Sequence, residues 1–436
     1  MRFQPVLTAA EVRVGPDLDA WLAVGGGEAL RRAAADPVAA LGAVAHAGVR
    51  GLGGAGYPTA LKWEPVALAR RPDAWIICNG NEDEPGTYKD EFLLRRTPHQ
   101  VIEGALAAAA VTGAGHVVIY VNPRDAETVA GAREAVEEWL SHPLLAELNR
   151  MLGHPLELAA MESSGMYVAG EETAVIAAVE GRFPFPRRKP PFPAERGVHG
   201  APTVVNNVET LAHVGHVLRH GADWYRSLGR GGASGMKLFS LSGDVMHPGL
   251  YELPLGTSLH ELVMEHGGGL IGDKALKAVV TGGPSNTLLT ADDLDVALDF
   301  DSVSARGARL GTGAMIVLAQ GTSIVRTVAR YMAFFAAGSC GQCPPCRIGT
   351  QQVESTLRRI DAGFGTPADL DSLEKLVPQL RGSGRCGLID GAMTVLDSSI
   401  ATFRDEYLAQ VAPSEGARRG GVPSDQVGDE RSRPGR

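Results

Sequence analysis

Four of the five cysteines lie near the end of the chain, in a spacing that suits a metal centre. Cys340, Cys343 and Cys346 are separated by two residues each, and Cys386 comes from a separate, glycine-flanked segment. Three thiolates on a tight loop and a fourth from elsewhere suit either a tetrahedral zinc ion or a [4Fe–4S] cluster. Zinc sites usually pair their ligands two and two, so the three-plus-one pattern favours the cluster. Cys78 stands alone and is predicted to be an ordinary buried side chain.

A glycine-rich segment, residues 51–56 (G-L-G-G-A-G), matches the dinucleotide-binding fingerprint literally. That fingerprint requires a strand before it and a continuing helix after it, whereas here a predicted helix precedes the segment and Pro58 follows it. We therefore expect a loop in which glycine lets backbone amides approach a phosphate or a flat ring closely. Lys62 would add a positive charge, and a flexible loop without a ligand is the alternative.

Three further polar segments follow a predicted strand or open a predicted helix. Residues 79–86 (N-G-N-E-D-E-P-G) come directly after an apolar strand predicted at 75–78, and α/β sheets bind ligands at the carboxyl ends of their strands. Carboxylates there suit the hydroxyl groups of a ribose or a ribityl chain. Residues 170–173 (G-E-E-T) and 206–209 (N-N-V-E) each begin a predicted helix, so helix capping alone would also explain them.

Predicted strands and helices alternate in the first half of the chain, which indicates an α/β domain. Two of the helices begin with a capping residue followed by proline, at Asp36-Pro37 and Thr97-Pro98. The expected helices span residues 36–47, 97–110, 125–140 and 174–179, and the expected strands span 75–78 and 116–121.

The second half of the chain has a different pattern. A strand–strand–helix–strand order predicts a small β-grasp module, and Ser258 and Glu261 form a capping box at the start of its helix. Helical patterns then dominate up to a last stretch, residues 413–436, which is predicted to be a disordered tail. The expected strands are 236–242, 249–253 and 276–281, and the expected helices are 258–265, 322–337, 351–360, 368–380 and 387–407.

Composition excludes several classes of protein. The 436 residues include 41 basic and 50 acidic side chains, a formal net charge of −9, which disfavours a nucleic-acid-binding protein. The most apolar stretch, residues 104–121, is broken by glycines and His116, so no direct membrane insertion is expected. Because no secretory signal is visible, we expect free cysteines and a cytoplasmic location, with any membrane association made through a complex.

The order of these motifs resembles the NADH-binding flavoprotein subunit of respiratory complex I and the related diaphorase subunits of NAD-linked formate dehydrogenases and hydrogenases. The resemblance runs from about Leu18 to about Tyr407 and is carried by residues 51–63, 79–90, 170–173, 188–193, 202–210 and 339–350 together with Cys386. It implies an α/β, Rossmann-like FMN-binding domain (1–230), a β-grasp (ubiquitin-like, SLBB) domain (231–320), a helical bundle carrying a [4Fe–4S] cluster (321–410) and a tail (411–436).

The resemblance also implies roles for individual residues. The cluster ligands are Cys340, Cys343, Cys346 and Cys386. The FMN contacts are Gly53, Gly54, Lys62, Asn79, Asn81, Glu82, Tyr167, Gly170, Glu171, Val205, Asn206 and Asn207. The NADH contacts are Tyr57 and Phe192, which stack on adenine, and Glu84, Glu172 and Lys189, which lie near the ribose and phosphates.

Some positions depart from the family pattern. The family usually has Arg at the position of Leu52, Asp at Asn81 and Phe at Tyr57, and a second adenine-stacking Phe is replaced by Pro65. A lost stacking ring removes about 0.5–1.5 kcal/mol of binding. These departures bear on the nucleotide and leave the FMN and cluster motifs intact.

The implied function is electron entry. Hydride passes from NADH to FMN and single electrons pass to the cluster, so no side chain is expected to act as general acid or base. Glu84 and Glu172 are expected to disfavour NADPH by charge repulsion. Expected partners are a small thioredoxin-like [2Fe–2S] subunit and a larger iron–sulfur subunit. The alternatives are a donor other than NADH, a formate dehydrogenase or hydrogenase module, and a flavin-free scaffold that binds a cluster or zinc.

Overall fold

The computed structural model describes residues 4–411, so the tail predicted at 413–436 lies outside the described residues. The first part of the chain folds into a four-stranded parallel sheet with helices packed on it. Its strands are β1 (Trp75–Gly80), β2 (His116–Val121), β3 (Glu157–Glu162) and β4 (Thr203–Asn207). Its helices are α1 (Leu18–Ala23), α2 (Glu28–Ala35), α3 (Pro37–Ala47), α4 (Thr59–Ala69), α5 (Lys89–Arg96), α6 (Pro98–Thr112), α7 (Ala126–Ser141), α8 (Pro143–Leu152), α9 (Glu172–Val179), α10 (Val208–His220) and α11 (Ala222–Leu228).

The strand order β3-β2-β1-β4 places the two asparagine-bearing strand ends side by side. β1 pairs with β4 in parallel, and the register sets Asn79 opposite Asn207. Helix α6 is buried along its whole length and packs on β1 and β2, which explains its alanine-rich sequence. The loops that follow β1 and β4 therefore meet at one edge of the sheet, where α/β proteins bind ligands.

Most of the elements predicted in this part are confirmed. Asp36 caps α3 through its side chain, and Gly48 ends that helix with φ +69°. β3 and β4 were not predicted. In β4, Asn207 does cap the following helix, because its side-chain oxygen accepts a hydrogen bond from the amide of Glu209 at 3.1 Å. The strand before this cap is only five residues long, and the cap pattern obscured it.

The middle of the chain forms the β-grasp module, a five-stranded mixed sheet with the order β6-β5-β9-β7-β8. β5 and β9 pair in parallel, and the other pairs are antiparallel. The sequence predicted β5, β6 and β7 but neither β8 nor β9. The elements are β5 (Met236–Gly243), β6 (Gly249–Pro254), β7 (Leu276–Thr281), β8 (Leu288–Leu289), α12 (Phe300–Ala305) and β9 (Ala314–Ala319).

The predicted short helix of this module contains a turn of π-helix, Glu261–His266. The hydroxyl of Ser258 accepts a hydrogen bond from the amide of Glu261 at 3.1 Å, as half of the predicted capping box requires. The carboxylate of Glu261 binds Arg230 at 2.6 Å. An ionic partner has thus taken the group that the capping box would use.

The last part of the described chain is a helical bundle of α13 (Ile324–Gly338), α14 (Pro344–Asp361), α15 (Pro367–Leu380) and α16 (Leu388–Val411). The helix predicted at 351–360 begins earlier, because Pro344 and Pro345 occupy its first helical positions, which proline favours. The two prolines start a helix here and do not stiffen a loop. None of the helices between residues 4 and 411 is both long enough and apolar enough to cross a bilayer. The domain boundaries at 230/231 and 320/321 stay a prediction.

A buried charge network joins the parallel sheet to the β-grasp module. The carboxylate of Glu209 lies 3.2 Å from Nζ of Lys89 and 3.0 Å from Nζ of Lys237, which belongs to β5. It also accepts a hydrogen bond from the amide of Leu238 at 2.7 Å. Burial lowers the pKa of Lys237 to about 8. Burial opposes the charge on Glu209, but the two ammonium groups outweigh it and the pKa of Glu209 is lowered.

We expect Glu209→Gln to destabilise the fold strongly, because it leaves two buried ammonium groups without their shared counter-charge. The expected loss is about 3–5 kcal/mol in the free energy of unfolding, measured by denaturant titration. Glu28→Gln is the matched control, since Glu28 forms an exposed ion pair with Arg32 and should change stability by about 0.5 kcal/mol or less. Equal effects of the two substitutions would contradict this role of the network.

Candidate cofactor site

A cavity of about 530 Å³ opens at the edge of the parallel sheet where β1 and β4 end. This volume lies within the roughly 300–1,000 Å³ that small-molecule sites occupy. All three parts of the chain contribute to its wall, which includes the glycine-rich loop, the acidic loop after β1, the turn Tyr167–Gly170, three residues of the β-grasp module and the start of α16. The cavity is therefore completed only when the three parts pack together.

The structure brings many of the predicted cofactor contacts into this cavity. The predicted FMN contacts that line it are Gly53, Asn79, Asn81, Glu82, Tyr167, Gly170, Glu171 and Asn207, and Glu84 from the predicted NADH set joins them. The predicted contacts outside its lining are Gly54, Lys62, Val205, Asn206, Tyr57, Glu172, Lys189 and Phe192. The roles of both sets stay a prediction.

Side-chain amides and bare backbone fix the shape of the wall. Nδ2 of Asn79 donates to the carbonyl of Gly170 at 2.8 Å, and Nδ2 of Asn81 donates to the carbonyl of Met166 at 3.1 Å. A Cβ on Gly53 would stand 2.7 Å from Cβ of Asn207, and one on Gly170 would stand 3.0 Å from the carbonyl of Asn81. The glycines thus keep a polar cradle open, which fits a ligand carrying hydroxyl groups and a flat ring.

Glu82 lies in the wall and also holds a helix in place. Its carboxylate accepts hydrogen bonds from the amides of Lys89, Asp90 and Glu91 at 3.1–3.2 Å, so it caps the N-terminus of α5. Burial, together with the nearby charge of Asp90, raises the pKa of Glu82 to about 8. This carboxylate is therefore a support of the cavity as well as a predicted FMN contact.

Glu84 connects the acidic loop to the rest of the molecule. Its carboxylate accepts hydrogen bonds from the hydroxyl of Tyr167 at 2.7 Å and from the amide of Ser285 at 2.9 Å. The ring of Tyr167 packs edge-on against Phe334 of α13, with 5.0 Å between ring centroids. Burial raises the pKa of Glu84 above that of an ordinary glutamate. Glu84 and Glu172 were expected to act together, but only Glu84 lines the cavity.

A layer of ionic contacts lies behind the wall and contains several of the other predicted residues. Nζ of Lys62 donates to the carbonyl of Val205 at 3.0 Å and lies 3.1 Å from Glu172, which is also 2.7 Å from Lys189. Burial opposes the charge of Glu172, but the two lysines outweigh it and its pKa is lowered. The side-chain oxygen of Asn206 accepts a hydrogen bond from the indole of Trp63 at 2.7 Å, so this asparagine supports the sheet.

The two rings expected to stack on adenine are accessible. Tyr57 is 53% exposed and Phe192 is 52% exposed, so both rings present free faces to solvent. Leu52, at the position where the family usually has Arg, is buried. Pro65 lies inside α4. Adenine stacking by Tyr57 and Phe192 is compatible with their exposure and stays a prediction.

The four clustered cysteines line a second, smaller cavity. Cys343 is the residue before α14, and Cys346 lies in the first turn of that helix, so the third thiol is not on the loop as predicted. Cys340 precedes them, and Cys386 comes two residues before α16. No three histidine, cysteine or acidic side chains between residues 4 and 411 are arranged to hold a single metal ion. Cys78 is fully buried in β1, as predicted.

The thiols are free, and burial affects their acidity. Burial raises the pKa of Cys346, and it raises the pKa of Cys386 to about 11. A thiol must lose its proton to ligate iron, so cluster assembly releases protons at this site. The hydroxyl of Ser339 lies 3.5 Å from Sγ of Cys346, close enough to hydrogen-bond the sulfur. The residues present therefore suit a cluster with four thiolate ligands.

The two cavities share a wall. Val168, Cys386 and Leu388 line both the large cavity at the sheet edge and the small cavity of the cysteines. One cluster ligand therefore also faces the space where the predicted FMN contacts converge. A cofactor in each cavity would be separated by the thickness of a single layer of side chains.

Sequence reasoning missed the part of the wall supplied by the β-grasp module. Ser285, Arg309 and Thr312 line the large cavity, and the hydroxyl of Thr312 lies 2.8 Å from that of Thr87 in the acidic loop. The glycine-rich segments that carry them, residues 282–283 and 311–313, were the available signal. Only the packing of the module on the sheet brings them to the site, as the backbone bridge between Gly54 and Gly311 shows.

Three family models match the chain. The Nuo51 FMN-binding domain matches residues 44–216, the SLBB domain matches residues 237–317, and the NADH-ubiquinone oxidoreductase-F iron–sulfur binding region matches residues 326–410. Together they match the order of an FMN-binding α/β part, a β-grasp module and a [4Fe–4S]-binding helical part. The flavin-free scaffold considered from the sequence is not supported by this match.

Similar proteins extend over nearly the whole chain. The chain is 40% identical over 412 residues to the NADH-quinone oxidoreductase F subunit numbered 2 of Rhizobium meliloti (strain 1021), covering 94% of this chain and 98% of that protein. It is 36% identical to the NADP-reducing hydrogenase subunit HndC of Solidesulfovibrio fructosivorans, covering 90% and 80%. A crystal structure of an NAD⁺-reducing [NiFe]-hydrogenase in the H₂-reduced state matches with a TM-score of 0.81 and 38% identity, covering 93% of this chain and 68% of that one.

We expect Cys386→Ala to lose the cluster, because three thiolates leave one iron of a [4Fe–4S] unit without a protein ligand. Iron and acid-labile sulfide should fall well below about four of each per chain, and the low-temperature EPR signal of the reduced cluster should disappear. Cys78→Ala is the control, since Cys78 is buried in β1, outside the lining of the cysteine cavity, and should leave the iron content unchanged. Full iron content in the Cys386 variant would contradict the assignment.

Proposed function

This chain belongs to the family of FMN- and [4Fe–4S]-binding subunits of NADH-quinone oxidoreductases and related hydrogenases, and on that premise we propose that its two adjoining cavities form one path for electrons from NADH. It is an oxidoreductase subunit that serves electron entry. The observation that carries the proposed path is the wall of Val168, Cys386 and Leu388, which lines both cavities.

The residues at the sheet edge suit the binding of FMN. Asn79, Asn81 and Asn207 offer amide groups to hydroxyl and ring acceptors, and the glycines at 53 and 170 leave the backbone accessible. When bound, FMN supplies the conversion between a two-electron hydride and single electrons. The chain's own task is to orient the cofactor and to exclude competing reactions, so we propose no general acid or base.

The position of NADH is proposed from the face of the cavity that remains open. The exposed rings of Tyr57 and Phe192 would stack on adenine, and Lys189 would lie near the ribose and phosphates. Lys189 and Lys62 hold Glu172 between them, so that this carboxylate has a fixed position. These residues position the nucleotide and take no part in bond making.

The cluster needs an electron acceptor outside this chain. The relatives named above are subunits of larger oxidoreductases, so this chain works as a subunit with partners. We propose a thioredoxin-like [2Fe–2S] subunit and a larger iron–sulfur subunit as those partners, in a cytoplasmic part of a complex. The final acceptor is either a quinone or the hydrogenase or formate dehydrogenase centre of a related assembly.

The nucleotide choice has a specific alternative. One relative, 36% identical, is named as an NADP-reducing enzyme, and this chain departs from the family pattern at Leu52, Asn81 and Pro65. A donor other than NADH is therefore the second candidate function. It uses the same two cavities and differs only in the ligand that approaches the first.

Anaerobic rapid mixing tests the proposed function. The chain carrying FMN and its cluster is mixed with NADH while the flavin and cluster absorbances are followed. We expect the flavin to bleach within the turnover time and the cluster signal to change after it. Flavin that is reduced by dithionite but not by NADH would overturn NADH as the donor and favour the second candidate.

We expect Glu172→Gln to weaken the preference for NADH over NADPH. The substitution removes a carboxylate from between two lysines, so the local charge becomes positive and a 2′-phosphate is repelled less. The measurement is the ratio of kcat/KM for the two nucleotides with an artificial electron acceptor. Glu64→Gln, on the exposed face of α4, is the charge-matched control. An unchanged ratio in the Glu172 variant would count against this role.

A further inference from the structure

Arg309 is the basic side chain at the site that has no acidic partner. Apart from Arg309, the cavity lining contains one basic residue, Lys89, which is buried and bonded to Asp90 and Glu209. Arg309 is exposed, and within residues 4–411 it makes no hydrogen bond or ion pair. The acidic residues of the lining are Glu82, Asp83, Glu84, Asp90, Glu171 and Asp390.

The backbone around Arg309 holds it in place. Its neighbours Ala308 and Leu310 are both buried, at 3% and 1% exposure, so the chain is anchored on either side. Gly311 forms a backbone bridge with Gly54 of the glycine-rich loop. A Cβ at Gly311, which has φ +55°, would stand 2.7 Å from Cα of Gly282, so this close approach requires glycine. The guanidinium is therefore presented at the cavity from a fixed segment.

An unpaired guanidinium beside an acidic wall suits a phosphate group. A dinucleotide brings a diphosphate with two negative charges, which the carboxylates of the cavity would repel. The planar guanidinium matches phosphate oxygens with two parallel hydrogen bonds and stays charged at any physiological pH. Within the described residues, no other cation of the lining is available, because Lys89 is already compensated by its two carboxylates.

We propose that Arg309 binds a phosphate of the ligand at the cavity mouth, and that this phosphate belongs to the diphosphate of the nicotinamide dinucleotide. The inference rests on the proposed function and adds to it a positioning residue from the β-grasp module. The same chemistry is offered by the phosphate of FMN. The dinucleotide is favoured because the predicted FMN contacts lie on the sheet edge, whereas Arg309 is exposed on the wall that the β-grasp module supplies.

The test compares Arg309→Gln and Arg309→Lys in the protein carrying FMN and its cluster. Steady-state kinetics with ferricyanide should show the KM for NADH about three- to tenfold higher in Arg309→Gln, with kcat and flavin content unchanged. Arg309→Lys should restore part of the loss, because it retains the charge without the planar fork. The KM of the Gln variant should also depend less on ionic strength. Lys274→Gln, an exposed charge of the same module outside the cavity lining, should behave as wild type.

A second arm separates the two phosphate sources. Flavin-depleted protein is titrated with FMN and with riboflavin, which lacks the phosphate. Weaker FMN binding and unchanged riboflavin binding in Arg309→Gln would assign Arg309 to the flavin phosphate and overturn the dinucleotide assignment. Unchanged KM together with unchanged FMN affinity would overturn phosphate binding altogether. Failure of the wild-type flavin to be reduced by NADH would instead overturn the proposed function, and the flavin titration would still decide the role of Arg309.

Discussion

The site depends on one buried carboxylate, that of Glu209, and on the two lysines that it compensates. Lys89 begins the helix that follows the acidic loop, and its ammonium group also donates to Asn207 at 3.0 Å. Lys237 lies at the start of the first strand of the β-grasp module and donates to the carbonyl of Leu52 in the glycine-rich loop at 3.1 Å. Three segments that form the cavity are thus fixed to one another through a single charge that cannot leave the interior.

This arrangement explains why the cavity lies between parts of the chain. A buried ion network contributes little net stability compared with apolar packing, but it tolerates few alternative geometries. Glu84 adds a second cross-connection, because it accepts hydrogen bonds from Tyr167 and from Ser285 of the β-grasp module. Tyr167 in turn packs on the helix that leads to the cysteine loop. Packing, ionic contacts and the two cavities are therefore coupled through neighbouring side chains.

The sequence predicted the chemistry better than the geometry. Local signals placed the helix caps, the strand before the acidic loop and the three-plus-one cysteines, because each depends on a few adjacent residues. The strand Thr203–Asn207 was missed, since its sheet partner β1 lies more than a hundred residues away. Glu209 was interpreted as part of a helix cap, and nothing near it in sequence reveals the two lysines that neutralise it. Arg309 reaches the site only through the tertiary bridge between Gly54 and Gly311.

The central claim is that a flavin and a four-iron cluster occupy adjoining cavities separated by Val168, Cys386 and Leu388. The most direct measurement is a crystal structure of the anaerobically prepared, FMN-loaded chain, with anomalous diffraction recorded at the iron edge. The account predicts flavin density at the carboxyl edge of the parallel sheet and a compact iron peak ligated by the four cysteines across that wall. Flavin bound elsewhere, or a single zinc ion on the cysteines, would contradict it.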